Sequence, residues 1–377
     1  MSLRVAYFAN QFADRHGHGL ARYARELHTA LAALDGVEIT PVAAWSTMPA
    51  DELSALKQAT GLRTLPTGRQ ITRLDGTFLG ALPIEMWLKG CVDITHAVAL
   101  GYPVATRRPL VVTIHDLGPL THPQFFSNTR PWVMQRALDQ AVRQASAIIC
   151  VSHSTAAEVR EVCGPVVDDR LRVIHEGVGE EFSEPVDPAC LTGLDLPPAG
   201  TPFILAAGKL SPRKNVQGII AALCEVLDDI PHHLVLTGGS GWDMETITAE
   251  LGDPRLAERV HFTGYVSDRQ LRALYGQAAI YVHPSLYEGF GLTVLEAMAA
   301  GTPVITADRS SLPEVAGGAA RLVDPEDTAA LAGALRDIGT DPTLAADLTA
   351  RGKANASRFA WSITAAETAE VYRAAAT

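Results

Sequence analysis

Short apolar runs rich in β-branched residues alternate with longer stretches of helical period along almost the whole chain. This alternation calls for parallel sheets crossed by helices. Parallel neighbours cannot be joined by a tight turn, so each strand needs a crossover, and a helix makes one compactly. In the first half, residues 5–8, 111–114 and 147–151 read as strands, with helical spacing over 21–34 and 131–145. In the second half, strands are expected at 203–206, 234–237, 260–262, 280–283, 304–306 and 321–323. Helices are expected there at 216–227, 268–276, 292–300 and 328–338. Residues 184–202, EPVDPACLTGLDLPPAGTP, carry proline and glycine punctuation without a period and read as a linker. The expected architecture is α/β, with two doubly wound Rossmann-like domains over residues 1–190 and 200–360 facing a central cleft. Ligands of such sheets bind outside the carboxyl ends of the strands, which makes the cleft the expected active site.

Composition narrows the function classes. At 377 residues, 47% hydrophobic and 19% charged, the chain has enough apolar material for two cores. A formal net charge of −11 argues against nucleic acid as a partner, because phosphate backbones need a basic stripe. An anionic substrate would need a local basic cluster against that field. The five cysteines (Cys91, Cys150, Cys163, Cys190 and Cys224) are odd in number and never spaced C-x-x-C, which fits buried thiols in a reducing compartment. The start MSLRVAYFANQF enters a strand without a leader pattern, and no apolar run has the length of a membrane span. A cytoplasmic location is the expectation.

Four segments could carry chemistry. HPSLYEGFGLTVLEAMAAGTPVI, residues 283–305, reads as a strand end, a glycine turn and a helix. The helix start presents unpaired N–H groups and a partial positive charge, a seat for phosphate, with Glu288 beside it. Glu296, one turn into the helix, could accept from a ribose diol. Thr293-x-x-Glu296 also matches a capping box, under which Glu296 merely satisfies helix-start donors, and the residues alone leave both readings open.

GKLSPRKN, residues 208–215, places Lys209, Arg213 and Lys214 at a strand's carboxyl end, where they suit a departing pyrophosphate. Solvated loop charges are the bland alternative. In LVVTIHDLGPL, His115 and Asp116 end a strand; a histidine there is more often structural than catalytic. HGHGLARYARELHTAL sets Gly17 and Gly19 before an amphipathic helix, a weak signal for a ligand approaching the backbone. TGGSGWD, residues 237–243, is glycine-rich without the spacing of a dinucleotide fingerprint. There is no D-x-D to hold a divalent ion, no H-E-x-x-H, no phosphate-loop motif and no G-x-S-x-G.

The E-x7-E of Glu288 and Glu296, with GKLSPRKN, FTGYVSDRQLRALY, GTPVITADRSSLPEVAGGAARLVDPED, VIHEGVGEEF and GLARYARELHTAL in that family's order, resembles the retaining GT-B-fold glycosyltransferases of family GT4. The likeness spans nearly the whole chain and is closest in the C-terminal half. It implies a metal-independent hexosyltransferase of polysaccharide or glycoconjugate biosynthesis, with no cofactor. Its donor is a nucleotide-diphosphate sugar bound by the C-terminal domain, and its acceptor sits on the N-terminal domain. Carried over residue by residue, Glu288 meets the sugar hydroxyls, and the backbone at Phe290, Gly291 and Leu292 meets the diphosphate and sugar. Glu296 takes the ribose, and Lys209, Arg213 and Lys214 bind the leaving pyrophosphate. Val266 meets the base through its backbone, His115 stands beside the sugar, and Gly19 lies close to the phosphates. The final helix, after Trp361, is expected to pack back on the N-terminal domain.

Three positions depart from the family pattern. Lys209 stands where arginine is common, Thr293 where proline is common, and Glu176 where asparagine is frequent, so Glu176 is left outside the expected site. GDP-mannose is the favoured donor, from TIHDL, PRKN and SLYEGFG, with UDP-sugars next. The acceptor is a saccharide, a lipid-linked sugar or a small molecule. Phe125, Phe126, Trp132 and Val133 with Arg130 and Arg136 fit a peripheral membrane contact at the inner face, and equally an ordinary loop and core helix. Two competing classes stand beside the transferase: a nucleotide-sugar 2-epimerase, which needs no acceptor, and a catalytically silent partner protein on the same frame.

Overall fold

The computed structural model describes residues 2–13, 19–66, 71, 82–88, 90, 92–101, 103–126, 131–239 and 254–377. Gly17, Cys91, Arg130 and positions 240–243 of the glycine-rich loop lie outside the described residues. The chain divides into two compact units, Met1–Gly177 with Ala360–Thr377, and Val178–Phe359.

The first unit carries a seven-stranded parallel sheet. Its strands are β1 (Leu3–Phe8), β2 (Val37–Ala43), β3 (Arg63–Thr64), β4 (Ile94–Ala97), β5 (Leu110–Ile114), β6 (Ala145–Cys150) and β7 (Leu171–Val173), in the order β3-β2-β1-β4-β5-β6-β7. β5 is buried along its whole length, as a strand covered on both faces must be, and it therefore reads as a continuous apolar run. The helix Gly19–Ala32 buries Ala21, Ala24, Leu27, His28 and Leu31, one stripe at helical spacing.

The last helix, Trp361–Ala376, belongs to this unit. The Trp361 ring packs on Tyr23 at 5.7 Å, and Thr364 Oγ1 donates to the His175 carbonyl at 2.8 Å. The Tyr372 hydroxyl meets His96 Nδ1 at 2.6 Å, while His96 Nε2 reaches Thr113 Oγ1 at 2.8 Å. Burial of His96 draws its ring down to about 3, so it sits in the core as a neutral group with both nitrogens engaged.

The second unit carries a six-stranded parallel sheet of β8 (Phe203–Ala207), β9 (His233–Thr237), β10 (Val260–Gly264), β11 (Ile280–His283), β12 (Val304–Ala307) and β13 (Arg321–Val323), ordered β10-β9-β8-β11-β12-β13. Its core is formed by Ile204, Leu223, Leu234, Ile280, Ile305 and Leu335 with their neighbours. The segment 184–202 packs within this unit: Gln270 Nε2 donates to the Cys190 carbonyl at 3.1 Å, and Asp195 accepts from Phe262 N–H at 3.1 Å.

Periodicity locates the long apolar elements, and 280–283 and 292–300 have the observed bounds. It misses β2, β4 and β7 and the helices His153–Cys163 and Pro342–Ala356. β2 is interrupted by Glu38 and Pro41, β4 spends two of its four positions on Thr95 and His96, and β7 is three residues long. No helix among the described residues is long and apolar enough to cross a membrane.

Candidate active site

β8 and β11 are neighbours, with β9 and β10 extending to one side and β12 and β13 to the other. The strand order reverses between them, so the connections leaving their carboxyl ends diverge and open a crevice. GKLSPRKN leaves β8 and HPSLYEGFGL leaves β11, which brings both motifs to this one point.

Glu288 is the centre of the crevice. Arg213 Nη1 lies 2.5 Å from its Oε2, and Lys214 Nζ lies 2.5 Å from its Oε1. Arg213 Nη1 also donates to the Tyr287 carbonyl at 2.6 Å, and Leu286 N–H donates to the Arg213 carbonyl at 2.8 Å. His283, buried at the end of β11, places Nε2 3.1 Å from Glu288 Oε1.

Burial alone would raise the Glu288 carboxyl. Arg213 and Lys214, helped by the His283 hydrogen bond, outweigh it and hold the group well below the usual carboxylate range. Burial draws the Lys214 ammonium down to about 8, opposed by Glu288. Burial, then the nearby Lys214, lowers His283 to about 4, so its ring is neutral at neutral pH.

The turn after Glu288 is tied down by two serines. Ser310 Oγ accepts from Glu288 N–H at 3.0 Å. Ser311, fully buried, directs its hydroxyl to the Glu288 carbonyl at 3.0 Å and the Phe290 carbonyl at 2.6 Å. Peptide units are planar and trans, so fixing these carbonyls sets the N–H groups of Gly289 and Gly291 in the opposite direction. Gly291 has φ +119°, and a Cβ there would lie 2.8 Å from Leu312 Cδ2, so the position needs glycine on both conformational and steric grounds. The helix Leu292–Ala300 begins directly after it; Val294 N–H donates to the Gly291 carbonyl at 2.9 Å, and the N–H groups of Leu292 and Thr293 precede any intrahelical acceptor. Amides, a helix start and two cations converge as an anion cradle.

Gly291 is the N-cap of this helix and makes no side-chain cap, so Thr293 lies inside the helix and the capping box, one of the two readings left open for Glu296, does not form. Thr293 Oγ1 instead faces His283 Nδ1 at 3.5 Å. Glu296 is 2% exposed, and its Oε2 accepts from the Tyr275 hydroxyl at 3.0 Å.

Of the residues singled out by sequence, Arg213, Lys214, Glu288, Phe290, Gly291, Leu292 and Glu296 come together around the β8–β11 crevice. Lys209 leaves the same strand end but is exposed, and no hydrogen bond of its side chain is found among the described residues. Val266 follows β10 at the sheet edge, two strands from β8, just before the capping box that Ser267 and Gln270 build. Gly19 and His115 belong to the first unit. Gly19 opens a helix, while His115 is buried with Nε2 3.0 Å from the Val98 carbonyl and Nδ1 2.9 Å from Glu176 Oε1.

Sequence reasoning missed His283, Ser310, Ser311 and Tyr275, and set Glu176 aside. Glu176 is buried and is the partner of His115 Nδ1. The hydroxyls carried no sequence signal, because Ser310 and Ser311 reach the turn from the loop after β12 and Tyr275 reaches Glu296 from a separate helix.

Comparison with known proteins gives a consistent picture. Residues 196–355 match the family described as Glycosyl transferases group 1, and residues 17–182 match Glycosyltransferase Family 4. The O-antigen chain mannosyltransferase B of Escherichia coli is 30% identical over 266 residues, covering 70% of this chain and 70% of that one. The D-inositol 3-phosphate glycosyltransferase of Streptomyces scabiei is 32% identical over 309 residues, covering 77% of this chain and 66% of that one. Among solved structures, sucrose-phosphate synthase from Thermosynechococcus elongatus superposes with a TM-score of 0.74 at 23% identity, over 98% of both chains. Anabaena Alr3699/HepE in complex with UDP and glucose gives 0.72 at 19% identity, again over 98% of both.

Proposed function

The chain belongs to the group 1 glycosyl transferases, and from that membership we propose that it moves a mannosyl group from GDP-mannose to an acceptor hydroxyl with retention of anomeric configuration. It has the GT-B fold and is a hexosyltransferase using a nucleotide-sugar donor. Mannose is favoured because a mannosyltransferase covers the two chains evenly. The acceptor is a saccharide, lipid-linked sugar or small molecule, assigned to the first unit, and the donor is assigned to the second.

The observation that carries this reading is the convergence of Arg213 and Lys214 on Glu288 beside the start of the helix Leu292–Ala300. As the sugar–phosphate bond loosens, negative charge grows on the departing diphosphate. Arg213, Lys214 and the amides at Gly291 and Leu292 are the groups to receive it, which removes the need for a metal ion. Glu288 then orients the sugar through its hydroxyls, and Glu296 takes the ribose. Val266 and Lys209 meet the base and the phosphates, and His115 and Gly19 keep the donor contacts that the family resemblance implies. The acceptor hydroxyl attacks from the face the diphosphate leaves and passes its proton to the leaving phosphate. No protein atom becomes covalently attached in this route.

The test is calorimetric titration with GDP, UDP and ADP in the presence of EDTA, followed by transfer assays with the sugar forms of the nucleotide that binds. GDP binding without metal and mannosyl transfer support the reading. A preference for UDP moves the donor to a UDP-sugar. Absence of binding by all three overturns the roles given to Lys214 and Glu296.

A further inference from the structure

Three donors meet the Glu288 carboxylate, and two of them are the cations assigned to the diphosphate. When Arg213 and Lys214 turn to a phosphate, Glu288 needs another hold to remain ionised and in place. His283 is that third donor. Its Nε2 lies 3.1 Å from Glu288 Oε1 and 3.4 Å from Lys214 Nζ. A carboxylate only accepts and an ammonium only donates, so a proton on Nε2 suits the nearer oxygen, while a lone pair there would face the carboxylate. Ser285 Oγ lies beside the same nitrogen at 3.2 Å.

The ring is fixed from its other side. His283 Nδ1 is 3.2 Å from the Tyr281 hydroxyl, and the two rings stack with centroids 5.9 Å apart. The Tyr281 ring also packs edge-on against Tyr275, with centroids 5.3 Å apart, and the Tyr275 hydroxyl donates to Glu296 Oε2 at 3.0 Å. The two glutamates of the E-x7-E pattern are thus ends of one row of packed side chains, Glu288–His283–Tyr281–Tyr275–Glu296, hydrogen-bonded at every step but the Tyr281–Tyr275 ring contact. A neutral imidazole can do this without adding a charge to the crevice, and burial together with Lys214 keeps His283 neutral.

We propose that His283 is a positioning residue for the transfer reaction, holding Glu288 through Nε2–H while Arg213 and Lys214 serve the leaving diphosphate, with Tyr281 anchoring the ring. This rests on the transferase reading of the same site. The charged and titratable groups facing His283 are Lys214 and Arg213 from the β8 loop, Glu288 from the turn and Tyr281 from its own strand, with Ser285 and Thr293 as neutral neighbours.

The experiment compares wild type, His283→Phe, which keeps a ring but no donor, and His283→Gln, which restores a neutral N–H donor. Tyr281→Phe, which removes only the anchor, serves as the independent variant should His283→Phe not fold. Each is measured for melting temperature, affinity for whichever of GDP, UDP and ADP the wild type binds, and kcat and donor KM across pH. A hydrogen bond to a charged group is worth about 1.5–3 kcal/mol, so His283→Phe should lower kcat about 10- to 150-fold while nucleotide affinity holds. Its acid limb should move to higher pH, because Glu288 has lost a donor to its ionised form. His283→Gln should recover most of kcat, and Tyr281→Phe should shift the acid limb the same way. Unchanged kcat and acid limb in His283→Phe, or in Tyr281→Phe where that variant stands in, overturn the proposal. So does a loss of kcat that follows nucleotide affinity and melting temperature together and is not rescued by glutamine. If the wild type neither binds a nucleotide nor transfers, the transferase reading falls and this inference falls with it.

Discussion

Lys214 and Glu288 form a partly buried ion pair, Nζ to Oε1 at 2.5 Å, between the carboxyl ends of two strands that come from distant parts of the sequence. Such a pair is expensive to break from one side, because the remaining charge is left without a partner. Both groups have other work when a donor binds, so the pair describes how the crevice keeps two charges in low dielectric until a phosphate arrives.

Replacing Glu288 by glutamine should separate binding from chemistry. The variant frees Arg213 and Lys214, so nucleoside diphosphate affinity should stay level or rise. Loss of one preorganised electrostatic contact at a reacting centre costs about 10²–10³ in kcat, and that is the size expected here. Stability should fall, by less than the ~3–5 kcal/mol of stripping one partner from a fully buried pair, because Glu288, Arg213 and Lys214 all keep some solvent contact. Single-turnover kinetics beside calorimetry and urea unfolding would check all three.

Glu296 should act on the nucleoside. Glu296→Ala should weaken nucleoside diphosphate binding by about 10- to 150-fold, the range of a charged hydrogen bond. The decisive comparison is with a 2′,3′-dideoxynucleotide, whose deficit against the natural nucleotide should disappear in the variant. A fall in melting temperature with both affinities unchanged would leave Glu296 only its structural bond to Tyr275.

Nucleotide binding should decline as pH rises through about 8, where the buried Lys214 ammonium of the free protein loses its proton. Lys214→Arg stays charged in that range, so its affinity should hold flat to higher pH, though its planar fork will alter the absolute value. Isothermal titration at a series of pH values reads this directly.

The stability of the fold should fall on acidification below neutrality. His283 is lowered to about 4 and His96 to about 3, both from 6.5. Their neutral forms stabilise the folded state fully above 6.5. Between 6.5 and those folded values the unfolded chain binds more protons than the native one, so stability is lost as pH falls through the window. Melting curves from pH 7 to pH 4 should show the decline, and His283→Phe should flatten the part that His283 contributes.

Ser311→Ala should damage the turn without touching any charge. It leaves the carbonyls of Glu288 and Phe290 buried and short of a donor, a cost of about 1–3 kcal/mol. The amides opposite those carbonyls lose their fixed direction, so nucleotide affinity should drop along with stability. Chemical denaturation paired with calorimetry tests the coupling.

The sequence by itself determined the long apolar elements and their order, while short or polar strands such as β4 and β7 stayed hidden. A continuous apolar run such as β5 belongs in a sheet covered on both faces, and a helical stripe such as Ala21–Ala24–Leu27–Leu31 belongs against it. Those patterns are set by backbone geometry over a few residues, which is why Ile280–His283 and Leu292–Ala300 could be bounded from the letters alone. The charged and glycine positions of the crevice were legible too, because their motifs are local. What only the tertiary structure decided was who meets whom. Strand order put β8 beside β11 and so set Lys214 on Glu288, 74 residues away, with Arg213 on the same carboxylate. It brought Ser311 under the turn and set Tyr275, from the helix Asp268–Gln277, against Tyr281 and Glu296. It also formed no capping box at Thr293, starting the helix at Leu292, after Gly291, two residues before a Thr293 cap would start it. A hydroxyl or an imidazole has no periodicity to betray it, and its role comes from the partner that a distant strand delivers.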